Sequence, residues 1–355
     1  MMALKDKLNS TSNFNVDYFL GDYKHLIGNV DAHVREFNIP KSSGGYRKIV
    51  APDDKLMAVQ RNILDTVLVK YSEHKCANGF VRGKGIVTNS TPHIGAKSMG
   101  CIDIKDFFDS VTVSHMQNCL FGNKNICKVC RYKKRMELGL CDPSLYRNSE
   151  HEYEFVCEEL KAVHVDDYCQ ATGYVSMFKS IIELCTYKGS AAQGFPTSPK
   201  MANIVMRGFD KAMFEYCNEN GITYTRYADD MSFSSKVLDK YELKLKTYEK
   251  ARKLLWAYGF RVNAKKVRYH NRSWRLKVCG VVVNEKNNIQ RSDMDLFRAK
   301  VHHATVKNAG STDQKTINQL KGYCSFVMSV NRQKGEKYLE QLTRYEQQYL
   351  ATAQA

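Results

Sequence analysis

The chain has 355 residues, 43% of them hydrophobic, which is enough to bury the cores of two or three subdomains. Its 54 lysine and arginine residues exceed its 37 aspartate and glutamate residues, and the resulting net charge of +17 predicts a polyanionic partner, most often nucleic acid. Long uncharged apolar runs and a secretory signal are absent from the sequence, and the twelve cysteines are scattered, so we predict a cytoplasmic protein with reduced thiols and no membrane contact.

The first part of the chain mixes strand and helix patterns. The stretch "IPKSSGGYRKIVAP" predicts a hairpin that turns at Gly44 and Gly45 and whose second strand ends at Pro52. Apolar residues at helical spacing follow in "DKLMAVQRNILDTVL". The next apolar run, "SMGCIDIKDFF", predicts a buried strand that ends near Asp103.

The second half of the chain continues this alternation after a stretch of poor periodicity at residues 123–170, which is rich in cysteine and charge. A strong helix is predicted after Pro199 and ends at Gly221, and a hairpin is predicted around Tyr227. An amphipathic helix, two short strands in "KVCGVVVN" and a basic helical end at 292–350 follow. The sequence therefore predicts an α+β protein.

Two adjacent carboxylates at a tight turn stand out in this basic chain. They belong to "YADD", which is a polar hairpin loop or a site for divalent metal. Asp103, at the end of an earlier strand, could by itself cap a helix. If the two strands are neighbours, however, Asp103, Asp229 and Asp230 could together hold two Mg²⁺ ions. Such a pair activates a hydroxyl and stabilises a leaving pyrophosphate, as phosphoryl transfer requires.

Several motifs together resemble those of one protein family. The order of "CIDIKDFF", "AAQGFPTSPKMAN" and "YADD" is similar to that of reverse transcriptases. "TNSTPHIGAK" and "KVCGVVVN" resemble two signatures of retron-type bacterial reverse transcriptases, with Ser90 and Cys279 replacing the alanine and threonine of that family. The resemblance covers about residues 38–330.

The resemblance implies a right-hand polymerase fold with three regions. N-terminal helices and fingers would occupy residues 1–100, and a palm with an antiparallel sheet and interleaved fingers would occupy 101–285. A helical thumb would follow at 286–355. In the family, the thumb holds the template–primer duplex, and its basic helices suit phosphate contacts.

The resemblance also implies metal ligands. Asp103 and Asp229 would be the main ligands of two Mg²⁺ ions, and Asp230 would be a ligand or a close neighbour of the ions. The carbonyl of Ile104 could add a backbone ligand.

Four residues correspond to the family's nucleotide-binding positions. Arg47 would grip the incoming triphosphate, since a planar guanidinium pairs bidentately with phosphate, and Lys41 would assist it. Gln193 would face the nucleotide sugar and base. Phe107 would be an aromatic steric gate against a ribose 2′-OH. The alternatives are a solvated charge for Arg47 and core packing for Phe107.

Two further implications are less specific. Lys265 or Lys266 resembles the lysine proposed to protonate the leaving pyrophosphate, although a solvated basic strand end has the same pattern. The segment from Asn89 to His93 is a candidate RNA-binding element, whereas His93 is alternatively a buried, hydrogen-bonded histidine.

The stretch at 123–170 carries a possible metal motif of another kind. Cys127 and Cys130 form a C-x-x-C pair and Cys141 follows, which suits structural Zn²⁺. The alternative is a surface insertion with free thiols.

These patterns predict an RNA-directed DNA polymerase that uses dNTPs to copy part of a cognate noncoding RNA. The resemblance implies a short branched RNA-linked DNA product, and an accessory effector protein within an anti-phage defence system. Two alternatives are a reverse transcriptase of a group II intron or diversity-generating element, and a basic RNA-binding protein with an idle polymerase site.

Overall fold

The protein is described from a computed structural model, which describes residues 21–41, 44–121 and 179–349. Within these ranges every strand belongs to one of three small sheets. In chain order the strands are β1 (Val34–Pro40), β2 (Tyr46–Pro52), β3 (Ser98–Asp103), β4 (Thr223–Tyr227), β5 (Asp230–Ser235), β6 (Arg268–Asn271), β7 (Lys277–Val278) and β8 (Val281–Val282).

The helices account for most of the remaining described residues. They are α1 (Asp54–Thr66), α2 (Ile86–Ser90), α3 (Phe107–Ser110), α4 (Val113–Phe121), α5 (Ser198–Glu219), α6 (Lys240–Ala257), α7 (Arg291–His302), α8 (Gln314–Val330) and α9 (Arg332–Tyr349). Residues 179–184 are also helical. Short 3₁₀ turns include Thr91–His93 and Ala264–Lys266, and a π-helical turn spans His303–Lys307.

The chain forms two compact units. One contains Met1–Ser72 and Asp106–Met206, and the other contains Glu73–Lys105 and Arg207–Ala355. The boundary between Met206 and Arg207 falls inside α5. The division into three regions at residues 100 and 285 stays a prediction.

In the first unit, β1 and β2 form the hairpin that the sequence predicts. They pair antiparallel from Val34 opposite Pro52 to Pro40 opposite Tyr46. Gly44 and Gly45 both have left-handed φ, at 86° and 79°, a conformation that glycine adopts without a Cβ clash. The turn therefore follows from these two glycines.

In the second unit, four antiparallel strands lie in the order β4-β5-β3-β6. Helix α6 packs on β3, β5 and β6, and Asp239 caps its N-terminus by accepting from two backbone N–H groups. Tyr224 and Phe233 on neighbouring strands stack at 5.1 Å between ring centroids and are buried. This sheet positions the carboxylates described below.

The C-terminal helices of the second unit share their own apolar core. All three helices α7, α8 and α9 contribute to this core, and its members include Phe297, Leu320, Val327, Leu342 and Tyr345. The predicted helical end is therefore confirmed as far as Tyr349. Among the residues that the structure describes, no helix has the length and apolarity to cross a membrane.

Candidate active site

Sheet pairing brings the three predicted carboxylates to one edge of the four-stranded sheet. Asp103 is the last residue of β3 and lies directly opposite Asp230, the first residue of β5. Asp229 lies in the two-residue turn that joins β4 to β5. The backbone N–H of Ile104 donates to the carbonyl of Asp229 at 3.0 Å, which ties the two strand ends together.

The turn that carries Asp229 has an unusual backbone. Ala228 has φ +55°, a left-handed conformation that costs a residue with a Cβ on the order of 1–2 kcal/mol. Gly79 packs against this turn so closely that an added Cβ would lie 2.5 Å from the nitrogen of Ala228. The surrounding structure therefore holds the turn in this conformation.

A buried ion pair between Arg226 and Asp210 supports the same turn. Arg226 donates from Nε and Nη2 to the two carboxylate oxygens of Asp210, at 2.8 and 2.6 Å. Its third nitrogen, Nη1, donates to the carbonyl of Ala228 at 2.8 Å. The Tyr224 hydroxyl donates to Asp210 at 3.0 Å, and the Arg226 and Asp210 side chains are both fully buried. Arg226 thereby fixes the turn to helix α5.

Asp103 has its own partners. The amide of Asn263 donates to Oδ1 at 2.9 Å, and Lys266 Nζ donates to Oδ2 at 2.7 Å. The hydrogen bond to Asp103 raises the pKa of Lys266 above its usual value. The sequence left Lys265 and Lys266 as alternatives, and the structure brings Lys266 to the carboxylates. Both lysines are exposed, and Lys266 is the one whose Nζ contacts Asp103.

Negative charge is crowded at this edge. Desolvation, with the charges of Asp229 and Asp103, raises the pKa of Asp230 to about 6. Within the described ranges, no three His, Cys, Asp or Glu side chains converge as a ready metal cluster, and Asp103 is engaged by Lys266 and Asn263 instead. Carboxylate oxygens are the ligands that Mg²⁺ prefers, and a cation would relieve the repulsion. The donor set therefore fits a divalent ion.

The predicted nucleotide-binding residues Arg47, Lys41 and Gln193 lie in the first unit. Arg47 is exposed on β2 opposite Ile39, and Lys41 is exposed where the hairpin turn begins. The adjacent Lys48 is paired with Glu36 at 2.9 Å, and Arg47 lies on the other face because strand residues alternate.

Gln193 is half-buried beside that same strand. Its carbonyl accepts from the N–H of Val50 at 2.9 Å. Gly194 has φ +128°, and a Cβ there would lie 2.5 Å from the carbonyl oxygen of Val50. Glycine is therefore required at position 194, because the backbone there approaches Val50 so closely. This approach places the neighbouring Gln193 beside β2, the strand to which Arg47 belongs.

Phe107 begins the short helix α3. It is 6% exposed, and its ring lies 5.4 Å from that of Phe108. Asp106, just before it, has left-handed φ at +45°. This burial agrees with core packing, and the steric-gate role stays a prediction.

The structure corrects the expectation that Asn89 and His93 face RNA. Asn89 is 0% and His93 is 1% exposed. The two ring nitrogens of His93 hydrogen-bond the hydroxyls of Ser234 and Thr225, at 2.7 and 2.8 Å. The alternative of a buried, hydrogen-bonded histidine is the one that the structure supports, because the helical turn of His93 packs against β4 and β5.

The burial of His93 makes stability depend on pH. Burial lowers the pKa of His93 from 6.5 to about 3. Below pH 6.5 the unfolded chain takes up a proton that the folded ring does not, so stability falls with pH between about 6.5 and 3. We expect His93 to contribute a drop of about 2 kcal/mol to the free energy of unfolding between pH 7 and pH 5. Urea denaturation at both pH values measures it, and His93→Gln should show a smaller drop; an equal drop would contradict the prediction.

The possible Zn²⁺ ligands Cys127, Cys130 and Cys141 lie outside the described residues.

Several residues of this site escape a sequence-based search. Some of them lie far from the motifs in the chain, and others lie inside a motif without a signal of their own. They are Arg226, Asp210, Asn263 and Gly79. Asp210 carries one signal, because it occupies the apolar stripe of α5 in step with the buried Met206, Met213 and Cys217. A charge at such a position predicts a buried partner.

Comparison with known proteins finds similarity to reverse transcriptases. The family model "Reverse transcriptase (RNA-dependent DNA polymerase)" matches residues 151–283. The chain is 30% identical over 338 residues to the Retron Mx162 reverse transcriptase of Myxococcus xanthus, covering 91% of this chain and 63% of that protein. It is 27% identical over 332 residues to the Retron Ec86 reverse transcriptase of Escherichia coli, covering 91% of this chain and 85% of that protein. The chain thus spans less than two thirds of the length of the Mx162 relative.

These matches show which class of protein the chain resembles. The chain is similar to the reverse transcriptase family, and the predicted α+β class with a right-hand polymerase fold is confirmed by the family match and the antiparallel sheet. Its curated relatives are retron reverse transcriptases, so the retron-type resemblance is confirmed as well. Among solved structures, apo telomerase from Candida tropicalis aligns with a TM-score of 0.44 and 12% identity, covering 97% of this chain and 63% of that chain.

Proposed function

We propose that the protein is an RNA-directed DNA polymerase of retron type. The observation that carries the proposal is the meeting of Asp103, Asp229 and Asp230 at one sheet edge, with Lys266 on Asp103. A basic chain with net charge +17 supplies the attraction to a nucleic-acid template.

The three carboxylates, with the carbonyl of Ile104, would hold two Mg²⁺ ions. When bound, such ions activate the attacking hydroxyl and neutralise charge on the phosphates. The chain's own residues orient the carboxylates: Arg226 holds the turn of Asp229, and Asn263 holds Asp103. Lys266 is a protonated amine beside the carboxylates and could donate a proton to the leaving pyrophosphate.

In the first unit, Arg47 with Lys41 would bind the triphosphate of the dNTP. Arg47 is exposed, and its guanidinium can pair bidentately with phosphate oxygens. Gln193, next to β2, would contact the sugar and base. These roles follow the family resemblance and the shared location at one hairpin.

The retron relatives support a more specific proposal. The template would be a cognate noncoding RNA, and the product a short DNA branched from that RNA (msDNA). An accessory effector protein would act with it in defence against phage. These proposals rest on the similarity to retron enzymes.

The test is to express the protein with its native flanking DNA, purify it and analyse the bound nucleic acid. A double variant, Asp229→Ala with Asp230→Ala, is the control. The expected result is a discrete DNA with RNA at its 5′ end, found with the wild-type protein only. RNA alone in both samples, together with no primer extension on an added template, would contradict the polymerase.

The steric-gate hypothesis makes a separate prediction. Phe107→Ala should let the enzyme incorporate ribonucleotides, because a smaller side chain would no longer collide with the 2′-OH. The measurement is the ratio of kcat/KM for dNTP and rNTP, which we expect to fall by about tenfold or more, the effect of losing roughly 1.4 kcal/mol of discrimination. Phe108→Ala, the neighbouring ring, is the control. Equal discrimination in Phe107→Ala and wild type would remove Phe107 from the site.

A further inference from the structure

An exposed aromatic ring lies among cations at the opposite end of the sheet from the carboxylates. Trp274 follows β6 and is 66% exposed. Its ring packs on His270 with 5.3 Å between centroids and an interplanar angle of 32°. The surrounding segment 270–277 contains no aspartate or glutamate, and its three cations are Arg272, Arg275 and Lys277. Outside this segment, Glu285 contacts Arg272 at 3.9 Å.

The turn that presents Trp274 is fixed by hydrogen bonds. The Asn284 amide donates to the carbonyls of Arg272 and Trp274, at 3.2 and 3.0 Å. Its Oδ1 accepts from the N–H of Leu276 at 2.9 Å, and Leu276 is 1% exposed. The ring is therefore held in solvent by an anchored turn.

The residue after Trp274 leads into a basic cleft. Arg275 lines a cavity of about 460 Å³ together with Arg291, Arg298 and Lys334. One acid, Asp295, also lines the cavity and contacts Arg291 at 3.7 Å and Arg298 at 3.3 Å. Four cations against one carboxylate leave the cleft positive.

We propose that Trp274 and this cleft bind a single-stranded stretch of RNA or DNA. A base would stack on the exposed face of Trp274, and phosphates would contact Arg275 and Lys334 in the cleft. The acid-free segment favours a polyanion over a protein surface. The exposed ring favours unpaired bases, because the faces of bases within a duplex are already stacked.

The site lies away from the reaction. Asn271 pairs with Ser98, and Asp103 is five residues further along β3. At about 3.3 Å per residue the strand separates the two ends by roughly 17 Å. A nucleic-acid strand with a rise of about 3.4 Å per nucleotide would span this with about five nucleotides. The site thus deepens the proposed function. Whether the bound strand is template or product rests on that function.

The chain offers a direct optical test because it has two tryptophans, Trp256 and Trp274. The Arg261 guanidinium lies over the Trp256 ring at 3.4 Å, so Trp256 is a matched exposed ring with its own cation. Trp256→Phe leaves Trp274 as the single emitter, and Trp274→Phe leaves Trp256. Each is titrated with single-stranded RNA or DNA of about fifteen nucleotides, near the upper site size of single-strand binders. A duplex of the same length is the comparison.

We expect saturable quenching of Trp274 by single strands and little change in Trp256. Trp274→Ala should weaken single-strand binding by about tenfold, and Trp274→Phe should weaken it less because a ring remains. Arg275→Ala with Lys334→Ala should weaken binding and reduce its salt dependence. Parallel titrations with RNA and with DNA show which polymer is preferred. Unquenched Trp274, or unchanged single-strand affinity in Trp274→Ala, would overturn the proposal.

The titration contains no dNTPs, so it is independent of polymerisation. Quenching without primer extension would contradict the proposed function and leave the stacking site. Primer extension without quenching of Trp274 would contradict the stacking site and leave the proposed function.

Discussion

Asp103→Asn and Asp229→Asn should each lower primer extension by at least about a thousandfold, equivalent to roughly 4 kcal/mol of transition-state stabilisation. The physical reason is that each removes a negative oxygen from the donor set that would hold the divalent ions. Asn keeps the shape of the side chain and can still hydrogen-bond, so the fold should remain. The measurement is single-turnover extension of a primed RNA template at saturating Mg²⁺ and dNTP.

Asp65→Asn is the matched control, since Asp65 is an exposed carboxylate on α1. It should extend primers like the wild type. If Asp103→Asn and Asp229→Asn behaved like Asp65→Asn, these carboxylates would have no role in the reaction.

Asp230→Asn should separate activity from stability. The pKa of Asp230 is raised to about 6 by desolvation and by Asp229 and Asp103, so its ionised form is unfavourable at neutral pH when no cation is bound. Removing that charge should raise the melting temperature in EDTA while lowering primer extension. This gain should shrink as the pH falls below about 6, because the wild-type carboxyl then becomes neutral too. A lower melting temperature at pH 7 would contradict the charge repulsion.

Arg226→Met should cost about 3–5 kcal/mol of the free energy of unfolding, because it leaves the fully buried Asp210 carboxylate without its partner. It also removes the hydrogen bond to the Ala228 carbonyl, so primer extension should fall as well. Urea denaturation measures the first effect. The exposed pair Arg252–Glu249 provides the control, and Arg252→Met should cost less than about 1 kcal/mol.

A double variant distinguishes folding from positioning. Arg226→Met with Asp210→Leu leaves no unpaired buried charge, so it should be more stable than Arg226→Met alone. Its polymerase activity should nevertheless stay low, since the Ala228 carbonyl is still without Arg226. Recovery of both stability and activity would show that Arg226 acts through stability alone, and a cost for Arg226→Met no larger than that for Arg252→Met would contradict the buried pair.

The sequence by itself determined the elements and the acidic centre. The hairpin at Gly44 and Gly45 was predictable because glycine marks left-handed positions, and α5 ends before Gly221 for the same reason. Asp103 could be placed at a strand end because an apolar run stops there. Local patterns suffice for these features because propensity and periodicity act between near neighbours in the chain.

The tertiary structure alone decided the contacts of the site. It placed Lys266 rather than Lys265 on Asp103, 163 residues away, and it buried His93 against Ser234, 141 residues away. It also paired Arg226 with Asp210, two charges whose burial is favourable only because they meet. No spacing in the sequence specifies such pairs, since which side chains lose their water depends on how distant segments pack.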